Sequence, residues 1–294
     1  MHPTEALRLL GGVASRGQLF ELCGEAEVRR LIRSGELMRL TRGNYGLREI
    51  DDATAAAGRL RGHLSHTSAA LAQGWAVARP PARPHVTVRR KRNLTATQRS
   101  GAQIHYADLD PEEIGGGMTS PARTLSDCLR MPLEDAVAVA DSALRVDDID
   151  AATLQRIAAG IRGPGAASAR RAAAMADGRA ANPFESVLRV HAAHVPGLQV
   201  TPQVGIELPG LFVQPDLVDI DRQIVIEADS FAWHSSRGKL RRDCIRYTLL
   251  AVDGWILLRF SWEDVMSRRD YVIEVMSRAV ALSDQRAELG LRAA

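Results

Sequence analysis

The residues with the clearest chemical potential lie in segment 214–234, QPDLVDIDRQIVIEADSFAWH. Asp216 follows Pro215, and Glu227 closes the aliphatic run Ile224, Val225, Ile226. Asp229 stands two residues beyond Glu227, so in an extended chain both acids project from one side. His234 follows close behind. An acid on one strand, an acid pair on the next and a nearby imidazole are the parts of a Mg²⁺ site with a proton acceptor. Carboxylate oxygens suit a hard divalent cation, and histidine exchanges protons near neutral pH. Paired acids beside aliphatic residues are costly to bury without a cation, which favours a metal over a structural role for Glu227 and Asp229. Asp216 has a plainer alternative, as a turn acid.

The flanking sequence supplies elements that could position these groups. Asn182 and Pro183 open a helix, NPFESVLRVHAAHV, with Phe184, Val187 and Leu188 on one face. Glu185 lies on that helix, where it could act on the site or pair with Arg189 four residues on. Strands are expected over 200–208, 212–220 and 223–229, with Asp216 inside the second. A helix is expected over 235–252, burying Leu240, Cys244, Tyr247 and Ala251. Its remainder is basic, with Arg237, Lys239, Arg241, Arg242 and Arg246. Arg242, Asp243 and Arg246 could hold phosphates or form a ladder within the helix. Gly254 ends that helix, and 255–260 reads as a buried central strand. A last helix is expected over 270–282.

This order of elements and acids resembles the core of the PD-(D/E)xK nuclease superfamily. Within it, the chain resembles the Vsr-like (very-short-patch-repair-like) nuclease domains of unknown function. Their pattern runs from a helix Glu through an Asp strand, an E-x-D-G-x-x-H turn and an R-D-x-x-R helix to a G-W/Y-x-V-L-R-F strand. Glu185 and Asp216 match its first two acids, and Glu227, Asp229 and His234 match the turn. Arg242, Asp243 and Arg246 match the helix, and Gly254, Trp255, Arg259 and Phe260 the strand. The resemblance covers residues 183–266 and implies a restriction-endonuclease-like mixed sheet flanked by helices. It also implies a metal-dependent DNA endonuclease or nickase. Asp216 and Glu227 would hold Mg²⁺ or Mn²⁺, and Asp229, His234 and Glu185 would complete the catalytic set. Arg242 and Arg246 would contact DNA phosphates. Two departures stand out. Asp229 occupies the position of the superfamily's lysine, and Ser230 replaces a common Gly in a turn one residue longer.

Upstream, residues 1–50 read as three short helices followed by two strands around Thr41, Arg42 and Gly43. That pattern resembles a winged helix-turn-helix. Arg29, Arg30 and Arg33 on the third helix, with Arg39 and Arg42 on the wing, are its candidate DNA contacts. A basic protein-binding module is the alternative. Residues 51–150 read as a middle α/β domain, with 85–88 and 101–106 as a hairpin. The run Arg89, Arg90, Lys91, Arg92 suits either phosphate contact or a solvated turn. Strings such as ASRGQL, LMRLTRGNYGL, LSHTSAA and TSPARTLSD resemble the N-terminal regions of abortive-infection type antitoxins, which repress promoters in type IV toxin–antitoxin pairs. Residues 151–181 read as a helical linker, and 182–294 as the nuclease-like domain.

The fold class that follows is α/β, in an α+β multidomain arrangement. A chain of 294 residues is long enough for two or three domains. Net charge +3 and a pI near 9.0 allow nucleic acid as a partner. Three widely spaced cysteines, a start without signal-peptide character and the lack of a long apolar run suggest a cytoplasmic protein with no membrane partner. A homodimer, a toxin or a repair protein would be compatible partners. The alternative to a nuclease is a DNA-binding, antitoxin-like repressor whose nuclease fold is inactive. A ribonuclease would use similar metal chemistry, but the sheet lacks stacking aromatics.

Overall fold

The computed structural model describes residues 2–10, 13–41, 44–47, 49–229 and 237–290. The chain is mixed α/β, 51% helix and 17% strand, with several sheets flanked by helices. It divides into two compact units, Met1–Gly178 and Arg179–Ala294. Among the described residues, no helix is long and apolar enough to cross a membrane.

The first unit opens with helices Pro3–Leu9, Arg16–Cys23 and Glu25–Ser34. Ser15 caps the second: its Oγ accepts from Gln18 N at 3.2 Å, while Gln18 Oε1 accepts from Ser15 N at 2.8 Å. This reciprocal box satisfies amides that a helix start otherwise leaves open. Strands Leu37–Thr41 and Asn44–Leu47 pair as expected, and Val13–Ser15 adds a third strand on the far side of Asn44–Leu47. Leu7, Leu19, Leu22, Val28, Leu31 and Leu37 are buried.

A five-stranded mixed sheet follows, in the order Gln103–Tyr106, His85–Val88, His63–Leu64, Met118–Thr119, Ile114–Gly115. The expected hairpin of 85–88 with 101–106 is instead a parallel pair. The connection contains a short helix, Ala96–Ser100, and a parallel pair requires such a crossover. Helix His66–Ala72 starts directly after the His63–Leu64 strand. Helices Pro121–Cys128, Leu133–Arg145, Ala151–Gly160 and Ala166–Met175 complete the unit. Ser120, whose type suits a helix cap, precedes the first of these but makes no side-chain cap hydrogen bond, and Pro121 opens the helix.

The second unit has helix Pro183–Ala192, capped by Asn182, whose Oδ1 accepts from Glu185 N at 3.1 Å. Its main sheet runs Ile256–Ser261, Ile224–Asp229, Leu217–Asp219, Thr201–Pro202. Ile224–Asp229 and Ile256–Ser261 are parallel, and the other pairs are antiparallel. Ile256–Ser261 therefore stands at an edge, and Ile224–Asp229 is internal, correcting the reading of 255–260 as central. The expected long strands over 200–208 and 212–220 are broken. Ile206–Leu208 and Leu211–Val213 peel away into a separate hairpin, and Asp216 sits between Leu211–Val213 and Leu217–Asp219. Helices Trp262–Ser267 and Arg269–Glu288 follow.

Helix Arg237–Val252 is followed by Gly254, whose φ of +85° lies in the left-handed region that glycine adopts freely. The side chain of Leu240 lies outside the described residues. Cys244 and Ala251 are exposed, Tyr247 is half-buried and Leu250 is fully buried, so the helix turns a different stripe inward than expected. Leu250 packs with Ile206, Leu208, Val213, Val218 and Val225. Leu250→Ala is expected to destabilise this unit by about 2–5 kcal/mol, since the cavity forms in a closed apolar cluster. Val252→Ala, at a site 81% exposed, should change stability by no more than about 0.5 kcal/mol. Urea unfolding of the two variants checks this contrast.

Candidate functional site

The acids meet at one end of the second unit's sheet. Leu217 pairs with Ile226, where the antiparallel ladder stops. The next amide on that strand, Ala228 N, donates instead to Asp216 Oδ2 at 2.8 Å. Asp216 thus continues the ladder with its side chain, which fixes its carboxylate beside the strand carrying Glu227. Val225, Glu227 and Asp229 alternate onto one face, as the residue spacing required. Val225 packs with Leu250, so this is the face covered by helix Arg237–Val252.

Gln203 links the remaining acid. Its Nε2 donates to Glu185 Oε2 at 3.1 Å and lies 3.4 Å from Asp216 Oδ1. Its backbone N donates to the Asp216 carbonyl at 3.1 Å. Gln203 adopts φ +56°, a region uncommon for residues other than glycine, and such strain concentrates at functional sites. Glu185 is buried, and its carboxylate also accepts from Ala181 N and Asn182 Nδ2, each at 2.8 Å.

The electrostatics are dominated by desolvation. Glu227 is only 5% exposed. Burial, then the neighbouring Asp216 carboxylate, push its pKa up to about 8. Burial also raises the pKa of the half-buried Asp216, against the Ala228 hydrogen bond and the Arg246 charge. Arg246 Nη2 lies 3.3 Å from Glu227 Oε1, within ion-pair reach. That oxygen makes no hydrogen bond among the described residues. Arg246 Nη2 instead donates to Tyr247 Oη at 2.7 Å. Burial, with Glu227 next, pushes the Tyr247 phenol up to about 12, so it remains protonated. Asp229 is held by Arg259, whose Nε lies 2.5 Å from Asp229 Oδ2. Arg259 comes from the parallel neighbour strand, opposite Glu227, and its guanidinium stacks 4.1 Å from the centre of the Tyr247 ring.

Among the residues singled out from sequence, Glu185, Asp216, Glu227 and Arg246 therefore converge, and Asp229 lies beside them in its own ion pair. Arg242 is exposed on the helix surface. His234 lies outside the described residues, as do Ser230 and Trp233. In the first unit, Arg29 and Arg30 pair with Glu25 and Glu27 of their own helix, and Arg33 Nε donates to the Arg29 carbonyl. Arg39 is exposed, and Arg42 is outside the described residues. His191 and His194 bind the backbone carbonyls of Val265 and Val190. Cys23, Cys128 and Cys244 are free thiols, with Cys244 exposed rather than in the core. Gln203 was not singled out from sequence, Tyr247 was expected only as a packing residue, and Arg259 only as part of the strand pattern. Gln203 lies in the stretch expected as one strand over 200–208, and no residue pattern there marked it.

No family model matches the chain. It is 29% identical over 189 residues to an uncharacterized protein of Mycobacterium tuberculosis strain CDC 1551, and equally to one from strain H37Rv. The match takes in 62% of this chain and 66% of the length of each relative.

The raised pKa of Glu227 has a definite consequence for the metal-free protein. Between its ordinary value near 4.5 and about 8, the folded state keeps a proton that the unfolded chain has lost. The associated stability is complete below about pH 4.5 and disappears as pH rises through about 8. Glu227→Gln removes this dependence. Its melting temperature relative to the native chain is expected to rise steadily from about pH 5 to about pH 8.5 in chelator. A constant difference across that range would contradict the assignment.

Proposed function

We propose that the second unit is a metal-dependent DNA endonuclease or nickase that hydrolyses phosphodiester bonds. The observation that carries this reading is the convergence of buried Glu227 with Asp216, joined through Gln203 to Glu185. Two desolvated carboxyl groups in contact disfavour each other's ionisation, and a divalent cation would relieve that repulsion. The donors are hard oxygens, which fits Mg²⁺ or Mn²⁺ rather than a soft ion. Asp216 and Glu227 would hold the ion, with Glu185 as a nearby further oxygen donor. Bound there, it would supply Lewis acidity and neutralise charge developing on the phosphate.

The chain's own residues have separable parts in this scheme. Gln203 and the Ala228 amide orient Asp216. Arg246 holds Glu227 and moderates the negative charge of the acid pair. Arg259 neutralises Asp229 and brings a fixed guanidinium close to the position where the resembled nucleases carry lysine. Exposed Arg241 and Arg242 lie on the adjoining helix, a suitable surface for phosphates. The N-terminal helices would guide the chain to DNA. The intrahelical pairs of Arg29 and Arg30 are exposed and weak in water, so phosphates can compete for those cations.

A second reading, a DNA-binding regulator with an inactive nuclease fold, draws support from the Asp229–Arg259 pair. A carboxylate replaces the expected lysine there, and it is already neutralised. Plasmid DNA incubated with the purified chain separates the two. The nuclease reading expects nicking or linearisation with Mg²⁺ or Mn²⁺ and none in chelator. Asp216→Asn and Glu227→Gln should each lower the rate at least about 100-fold while DNA binding persists. Gln203→Ala should lower it about 10–100-fold and raise the metal concentration needed for half-maximal activity, as loss of a supporting contact does. Promoter binding with no metal-dependent cleavage of duplex, branched, mismatched or single-stranded DNA would establish the regulator instead.

A further inference from the structure

A second cluster of chemically capable groups lies in the first unit. We infer that His66, His85 and His105 form a binding site for a transition-metal ion of the Zn²⁺ type. One ring nitrogen from each histidine lies within 4.8 Å of those from the other two. The rings of His66 and His105 stack with centroids 3.7 Å apart. His85 lies 5.1 Å from His105 and 5.4 Å from His66 by the same measure. His105 Nε2 and His85 Nδ1 are 3.1 Å apart.

The fold builds this cluster from three separate elements. His85 begins strand His85–Val88, which pairs in parallel with Gln103–Tyr106, placing Thr87 opposite His105. Side chains two residues apart share a face, so His85 and His105 project from the same side of the sheet. His66 is the first residue of helix His66–Ala72 and adopts φ +51°. Ser65 N donates to the His85 carbonyl at 3.0 Å, and His85 N donates to Ser68 Oγ at 2.9 Å. These two bonds fasten the helix start to the strand and hold His66 over the other rings.

The chemistry of the cluster suits a metal of intermediate softness. Neutral imidazole is the ligating form, and imidazole donors favour Zn²⁺, Ni²⁺ or Cu²⁺ over Mg²⁺. Burial, then the neighbouring histidines, hold His66 at about 2, and burial with His105 holds His85 at about 4. Burial lowers His105 as well. All three rings are therefore neutral near pH 7, with lone pairs available. Arg123 is the nearby cation acting on His66, and it is itself engaged by Glu113 at 2.9 Å and Asp127 at 3.0 Å. Zn–N bonds of about 2.0–2.1 Å in a tetrahedral site require the three nitrogens to draw together by side-chain rotation. Three histidines would leave a fourth position for water or a small anion.

The test is metal titration of the full chain, prepared without a polyhistidine tag and stripped with chelator. Calorimetry with Zn²⁺ should show one saturable equivalent per chain at this site. Co²⁺ should develop the visible absorption of tetrahedral nitrogen ligation. His66→Gln and His105→Gln, both at half-buried positions, should each weaken binding by about 100-fold or more. The double variant Asp216→Asn, Glu227→Gln should retain it, separating this site from the acids of the second unit. Circular dichroism of the metal-free variants confirms that they fold. Absence of saturable Zn²⁺ binding, or binding unchanged in folded His66→Gln and His105→Gln, would overturn the proposal.

Discussion

Two carboxyl groups in contact inside a protein repel when both are charged, and each is also penalised by the loss of water. That constraint acts on Asp216 and Glu227, and the surrounding structure is arranged about it. The sheet register stops one residue short, so the Ala228 amide binds Asp216 rather than another strand. Helix Arg237–Val252 packs through Leu250 and thereby delivers Arg246 to Glu227. Gln203 leaves ordinary extended geometry to bridge Asp216 and Glu185. Each of these arrangements holds acids together that would separate in a flexible chain.

The cations are divided between two tasks. Arg246 faces the buried acid and is held by Tyr247, while Arg259 neutralises Asp229 at the rim of the same face. Tyr247 stacks against both guanidinium groups, 4.7 Å from Arg246 and 4.1 Å from Arg259. Asp229 is thus already paired, while Asp216 and Glu227, whose ionisation burial disfavours, stand to gain most from a cation. In the nuclease reading this is the useful distribution: an ion is drawn to one place, and Asp229 does not compete for it.

Much of this scaffold was legible in the sequence because local signals agreed. Asn182 marked a helix start, Gly254 marked a helix end, and the aliphatic run before Glu227 marked a buried strand. The acids could be placed on one face of that strand by counting residues. What could not be read depended on partners distant in the chain. Ile256–Ser261 looked central because it is apolar, yet helices cover it at a sheet edge. The true inward stripe of helix Arg237–Val252 was set by its packing partners rather than by its own pattern. Gln203 carries no chemical signature of its own, and Arg259 meets Asp229 only through the parallel register. The histidines at positions 66, 85 and 105 have no motif spacing. A crossover and a strand-to-helix clamp bring them together.

The two candidate metal sites differ in donor chemistry, hard oxygens in the second unit and imidazoles in the first, so one experiment can address them separately. The central claim is that Asp216 and Glu227 form a divalent-cation site. Its most direct test is the anomalous difference map of a crystal soaked in Mn²⁺ near pH 8, where Glu227 can ionise. A peak is expected between the Asp216 and Glu227 carboxylates, lost in Glu227→Gln crystals. A well-ordered map with no peak there, or with Mn²⁺ only beside the histidines, would contradict it.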